Sequence, residues 1–217
     1  LRKQNVADFY IVPNIPTWLS GNVNNRIPLQ KQKGHAKIIY LSRISPEKNC
    51  LAALKTISQV TGEIEFNIYG PIDRKSYWAE CKSYIEKMPE NTKVSYCGAI
   101  AHENIGKLFI SHHVLLFPTL GENYGHVIQE SLLHGCPVII SDRTPWRNLE
   151  RNGVGWDIPL ENPGEFVNAV QSIINMDNAE FRSLAASAES FGKKSAESSS
   201  SLESYRKMFN QLGSKAV

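Results

Sequence analysis

Residues 114–142, "VLLFPTLGENYGHVIQESLLHGCPVIISD", run from an apolar stretch through a polar loop and an amphipathic stretch into a second apolar one. "VLLFPT" (114–119) reads as a strand with proline at its carboxyl end. "GHVIQESLLHG" (125–135) reads as a helix closed by Gly135, and "PVIISD" (137–142) as the next strand. Two glutamates sit in this unit: Glu122 in the loop, and Glu130 about a turn and a half inside the helix. They are either solvated helix charges or groups that hold something polar at the end of a sheet.

The same alternation extends outward in both directions. "AKIIYLSR" (36–43) is a near-continuous apolar run, the pattern of a parallel strand buried on both faces. "SPEKNCLAALKTISQV" (45–60) predicts a helix with Ser45 as N-cap, Pro46 at the first position and Glu47 in the first turn. Its apolar positions Leu51, Leu54, Ile57 and Val60 recur at helical spacing. Strands are expected at 63–70, 92–98 and 153–159, and helices at 74–88, 101–113 and 162–174. The tail from about 178 reads as helical, interrupted near "FGKKSAESSSS", with a last helix near 201–212. On the amino-terminal side, "DFYIVPN" (8–14) reads as a strand, and the polar segment 14–34 as a linker. The repeating strand and helix predict an α/β fold, a doubly wound parallel sheet of Rossmann-like type.

Composition narrows the partners. The 217 residues carry a formal net charge of +3, too small to argue for nucleic acid. No run of about 18 apolar residues would span a membrane, and no signal peptide is visible. The small basic excess is compatible with peripheral contact at an anionic membrane surface. Cys50, Cys81, Cys97 and Cys136 are scattered without a C-x-x-C pair and read as small core hydrophobes. No histidine ligand spacing occurs, and the adjacent His112 and His113 would diverge rather than chelate. No metal site and no cofactor are expected.

In a doubly wound sheet ligands bind at the carboxyl ends of the strands, so the residues after each strand are the candidates. Arg43 and Lys48 flank a predicted helix start, where a guanidinium, an ammonium and backbone N–H groups suit a phosphate or diphosphate. Spacing does not separate that reading from two solvated loop charges. Neither G-x-G-x-x-G after the first strand nor a P-loop is present, which disfavours nicotinamide, flavin and P-loop nucleotide sites. A carboxylate accepts two hydrogen bonds side by side, so a diol is a natural partner for Glu122 or Glu130. Gly125 lets a ligand approach the backbone.

"GENYGHVIQESLLHGCPVIISD" resembles the carboxyl-terminal signature of GT-B, family 4-type retaining glycosyltransferases, whose two glutamates are separated by seven residues. "YLSRISPEKN" resembles the family's upstream G-R-x-x-x-E-K element, with Ser42 where glycine is usual. "IYG" (68–70), "SYCGAI" (95–100) and "NGVGWDIP" (152–159) follow in the family's order, over roughly residues 36–175. "SDRTPWRNL" resembles a subset with Thr-Pro-Trp in place of paired glycines. The resemblance implies that Arg43 and Lys48 bind the diphosphate of a nucleotide-sugar, using UDP or GDP, and stabilise the leaving group. Glu130 would accept from the ribose hydroxyls and Glu122 from the transferred sugar, with Arg43, Lys48 and Glu122 as the catalytic set. Backbone groups of Asn123, Tyr124, Gly125 and His126 would hold phosphates and sugar. Gly98, Ala99 and Ile100 would frame the base. Such enzymes generally need no metal, in keeping with the lack of a D-x-D motif.

The same resemblance divides the chain into three parts. Residues 1–33 would be the end of an amino-terminal acceptor domain plus linker, 34–193 the donor-binding domain, and 194–217 a helix crossing back. The expectation is a fragment that binds donor without transferring sugar. The acceptor would be a glycan or lipid-linked molecule held by the other domain, and the location cytoplasmic, including the cytoplasmic face of a membrane. Competing readings are a sugar phosphorylase or nucleotide-sugar epimerase of the same architecture, and a non-catalytic nucleotide-sugar-binding module. Arg43, Lys48, Glu122 and Glu130 together at strand ends favour the transferase.

Overall fold

A computed structural model describes residues 29–197. The expected strand at 8–14, most of the linker and the helix near 201–212 lie outside the described residues. Six parallel strands form one sheet: β1 (His35–Leu41), β2 (Glu63–Tyr69), β3 (Thr92–Gly98), β4 (Val114–Phe117), β5 (Val138–Ser141) and β6 (Gly155–Ile158). Their order is β3-β2-β1-β4-β5-β6. The helices are α1 (Cys50–Ile57), α2 (Lys75–Ile85), α3 (His102–Ile110), α4 (His126–Leu133), α5 (Pro163–Asn175) and α6 (Asn178–Glu197). α1 packs against α2 and α5, while α4 packs against α3 and α6, so a helical layer covers each face. The expected doubly wound Rossmann-like sheet is therefore present.

Burial explains the strand sequences. β4 and β5 are covered on both faces, and every residue in them is buried. β2 alternates, with Ile64, Phe66 and Ile68 in the core, because its other face is only partly covered. Edge strand β3 is mostly open, and Cys97 on it is exposed. The expectation of four core cysteines thus holds for Cys50, Cys81 and Cys136 but not for Cys97, which is exposed on the edge strand.

Two predicted helices differ in outline. The one expected over 45–60 is split into a three-residue 3-10 turn, Pro46–Lys48, and α1. At the break Asn49 is left-handed, with φ 57°. Its side-chain amide donates to Pro118 O at 2.9 Å, a long-range bond with no local signature. Ser45 occupies the cap position, but its hydroxyl makes no capping bond. Conversely, α6 runs unbroken through "FGKKSAE". Gly192 is not a breaker there. A Cβ on it would lie 2.6 Å from Leu133 N and 2.7 Å from Leu132 C, so it lets α6 approach the α4 backbone.

The start of the described chain is fixed to the body. Lys31 is buried, and its ammonium donates to the carbonyls of Gln32, Ile174 and Met176 at 2.7, 3.0 and 3.1 Å. It caps the carboxyl end of α5, where free carbonyls favour a cation. No helix among the described residues is long and apolar enough to cross a membrane.

Candidate functional site

The strand order places the topological switch between β1 and β4. Crossovers from β1 run one way to β2 and β3, and those from β4 run the other way to β5 and β6. The loops beyond β1 and β4 therefore part and leave a crevice at their carboxyl ends.

The β1 loop supplies Lys48 and the β4 loop supplies Glu122. Lys48 Nζ lies 2.5 Å from Glu122 Oε1, with side chains 15% and 19% exposed. Nζ also donates to Gly121 O at 3.3 Å, so one of its three N–H bonds has no protein acceptor among the described residues. Several contacts set the lysine in place. Buried Tyr40 of β1 donates its hydroxyl to Lys48 O at 2.9 Å. Glu47 O accepts from Leu120 N at 2.9 Å and Thr119 Oγ1 at 3.2 Å, stitching the two loops together. Because the predicted helix start at Ser45 is only a short turn, Lys48 owes its position to these cross-links and not to a long helix dipole.

Arg43 stands apart from this pair. Its guanidinium is 61% exposed and lies 3.9 Å from Asp73, on the loop after β2. Gly98 ends β3 with φ +77°. The Gly98 carbonyl accepts from Gly70 N at 2.8 Å. Ala99 is exposed and Ile100 half-buried.

α4 begins at the crevice. Gly125 precedes it with φ 80° and ψ 55°, a left-handed conformation that glycine adopts without strain. Asn123 and His126 are exposed. The His126 ring lies 4.6 Å from that of Tyr124, and Tyr124 donates its hydroxyl to Gln129 Oε1 at 3.1 Å. Glu130 is 18% exposed and lies 3.7 Å from Nδ1 of His102, the first residue of α3. Burial pushes the Glu130 pKa up, and His102 opposes that shift. Glu130 is therefore a partly desolvated acceptor beside a surface histidine.

The loop after β5 braces the crevice from behind. Glu122 N donates to Arg143 O at 3.0 Å. Ser141 Oγ donates to Thr119 O at 2.5 Å, and Trp146 Nε1 to Tyr124 O at 2.6 Å. Arg143 is itself paired with Asp142 and Glu161.

The structure thus joins Lys48 to Glu122 and Gly121, and places Glu130, on α4, against His102 of α3. It carries Arg43 to the β2 side. Sequence reasoning missed Tyr40, Asn49 and His102 as parts of this region. Thr-Pro-Trp was the visible signal for Trp146. Chemically, Lys48 and the amides at the start of α4 can meet an anion, and the two glutamates can accept from hydroxyls.

The fold is that of a doubly wound, Rossmann-like α/β domain, with Lys48 and Glu122 joined at its switch point. The model of glycosyl transferases group 1 matches residues 23–195, and the chain belongs to that family. No relative is found among curated proteins. Among solved structures, a variant of TarM from S. aureus in complex with fondaparinux, α-GlcNAc-glycerol and UDP shares 17% identity. It superposes with a TM-score of 0.68 over 95% of this chain and 40% of its own. Anabaena HepE in complex with UDP-glucose gives 18%, 0.66, 83% and 49% for the same quantities. Sucrose-phosphate synthase from Thermosynechococcus elongatus gives 19%, 0.64, 83% and 46%. At these identities the likeness establishes a shared fold. The chain spans less than half the length of each of these proteins.

Proposed function

We propose that this domain binds the nucleoside-diphosphate-sugar donor of a retaining glycosyltransferase and forms one half of a GT-B architecture. The acceptor, a glycan or lipid-linked molecule, is held outside the described residues. The observation that carries the reading is the Lys48–Glu122 pair at the switch point, directly before the amino terminus of α4, in a chain of the group 1 family. TarM and HepE are seen with UDP or UDP-glucose, which supports a UDP-sugar.

In this reading Lys48 uses its remaining N–H on the diphosphate while keeping Glu122. Arg43 swings from Asp73 to the same group, a small cost for an exposed ion pair. Negative charge builds on the departing nucleoside diphosphate, and cations with helix amides stabilise it most in the transition state. The chain supplies that positive charge itself, so we read transfer as metal-independent. Glu122 orients the sugar through its hydroxyls, and Glu130 accepts from the ribose diol.

Calorimetry with UDP, GDP, UDP-glucose and GDP-mannose tests the assignment. One nucleotide series should bind. Glu130→Ala should weaken its nucleoside diphosphate by about tenfold or more, the value of a charge-assisted hydrogen bond. Glu122→Ala should spare the bare diphosphate, because Lys48 is then unpaired, and weaken the sugar-bearing donor. Absence of binding across the panel would overturn the donor reading.

A further inference from the structure

The Thr-Pro-Trp segment has no role in the donor contacts above, yet it touches the one peptide that enters α4. Thr144 is buried, and its hydroxyl accepts from Trp146 N at 3.2 Å, which with Pro145 between them sets the turn. The indole N–H then donates to Tyr124 O at 2.6 Å. Trp146 is 8% exposed, held by rings on two sides, Tyr124 at 6.3 Å and Phe191 of α6 at 6.4 Å.

The bond fixes more than a carbonyl. All described peptides are trans, and in a trans peptide the C=O and the following N–H point in opposite directions. Anchoring Tyr124 O on the indole therefore turns the Gly125 N–H away from Trp146. Gly125 is buried, and its N–H meets no acceptor among the described residues. Buried N–H groups are nearly always paired, and an unpaired one is costly. Trp146 also closes its own side of the glycine, since a Cβ at Gly125 would lie 3.2 Å from Nε1 and 2.8 Å from Ile128 Cδ1. A ligand acceptor must arrive from the opposite side.

We infer that Trp146 is a positioning residue, which orients the Gly125 amide to donate to the β-phosphate of the nucleotide. This rests on the donor reading above and goes beyond it, because Trp146 touches no part of the donor. The arrangement explains why a bulky indole occupies a loop one layer behind the crevice. A phenylalanine would fill the space, but only the indole can hold the carbonyl.

The test compares UDP with UMP, which lacks the β-phosphate, on the full chain and on Trp146→Phe. Calorimetry should show UDP weakened about tenfold in the variant and UMP unchanged, so that the preference for UDP over UMP collapses. A purely structural role for Trp146 would lower the melting temperature and weaken both ligands alike, or neither, and that result overturns the inference. In 15N-labelled wild-type protein the Gly125 amide resonance should shift on adding UDP and stay in place on adding UMP. An unmoved Gly125 amide with UDP bound overturns the inference even if the variant does not fold, and leaves the donor reading standing. If wild-type protein binds neither UDP nor UMP, the donor reading for uridine nucleotides fails and this inference with it.

Discussion

His113 shows how one buried side chain sets a pH dependence. Its Nδ1 accepts from Lys37 N at 2.8 Å, which leaves Nε2 to carry the proton and face Gln30 O at 3.2 Å. The ring is therefore neutral, edge-on to Phe181 at 4.9 Å. Burial is the main force lowering its pKa to about 4, aided by Lys31, His35 and His112 nearby and opposed by the Gln30 carbonyl. The unfolded chain takes up a proton near the ordinary value of 6.5, so it binds more protons than the folded one between those limits. Stability should then fall as pH drops from about 6.5 to about 4, by roughly 3 kcal/mol from this group. Urea melts across that range check it, and His113→Gln, which can keep both hydrogen bonds, should flatten the profile. The adjacency of His112 and His113 was legible, as was their divergence. His112 Nε2 meets Asn67 Nδ2 at 3.0 Å while His113 turns to Gln30. Their burial was not legible, because it depends on which segments cover the amino-terminal end of the sheet.

At the scale of elements, the contact of α6 with α4 carries a clear test. Gly192 costs helix propensity, so Gly192→Ala would gain about 1 kcal/mol in an isolated helix. Here the new Cβ would meet α4 backbone atoms at 2.6 and 2.7 Å, and overpacking of that kind costs about 1–3 kcal/mol. Packing should win, because the obstructing atoms are main chain and cannot rotate aside. The variant should melt a few degrees lower despite its better helix former, as thermal denaturation would show. The periodicity of Leu51, Leu54 and Ile57 located α1, although the helix ends at Ile57 and Val60 falls beyond it. The break at Asn49 escaped it, because Pro118 O, the acceptor that holds the left-handed turn, lies 69 residues away. Of the stretch "FGKKSAESSSS", where an interruption was expected, α6 runs through the part up to Glu197, in which Gly192 serves close packing, and residues 198–201 lie outside the described residues.

Across the whole molecule, exposure follows the sheet. Three thiols lie buried and one, Cys97, sits on the open edge. Under native, reduced conditions a thiol reagent should label one cysteine quickly and the other three only on unfolding; more than one fast thiol would contradict the packing. Amide exchange should follow the same order, fastest in β3 and slowest in β4 and β1, whose core residues are buried. The sequence by itself determined the element types and the parallel α/β class. Those properties are written locally, in the period of apolar residues and in the caps and turns between them. Only the tertiary structure decided that β1 lies beside β4, and hence that Lys48 meets Glu122, Glu130 meets His102 and Trp146 reaches Tyr124. Strand order and cross-loop hydrogen bonds come from packing the whole chain at once, and residues brought together that way leave no pattern along it.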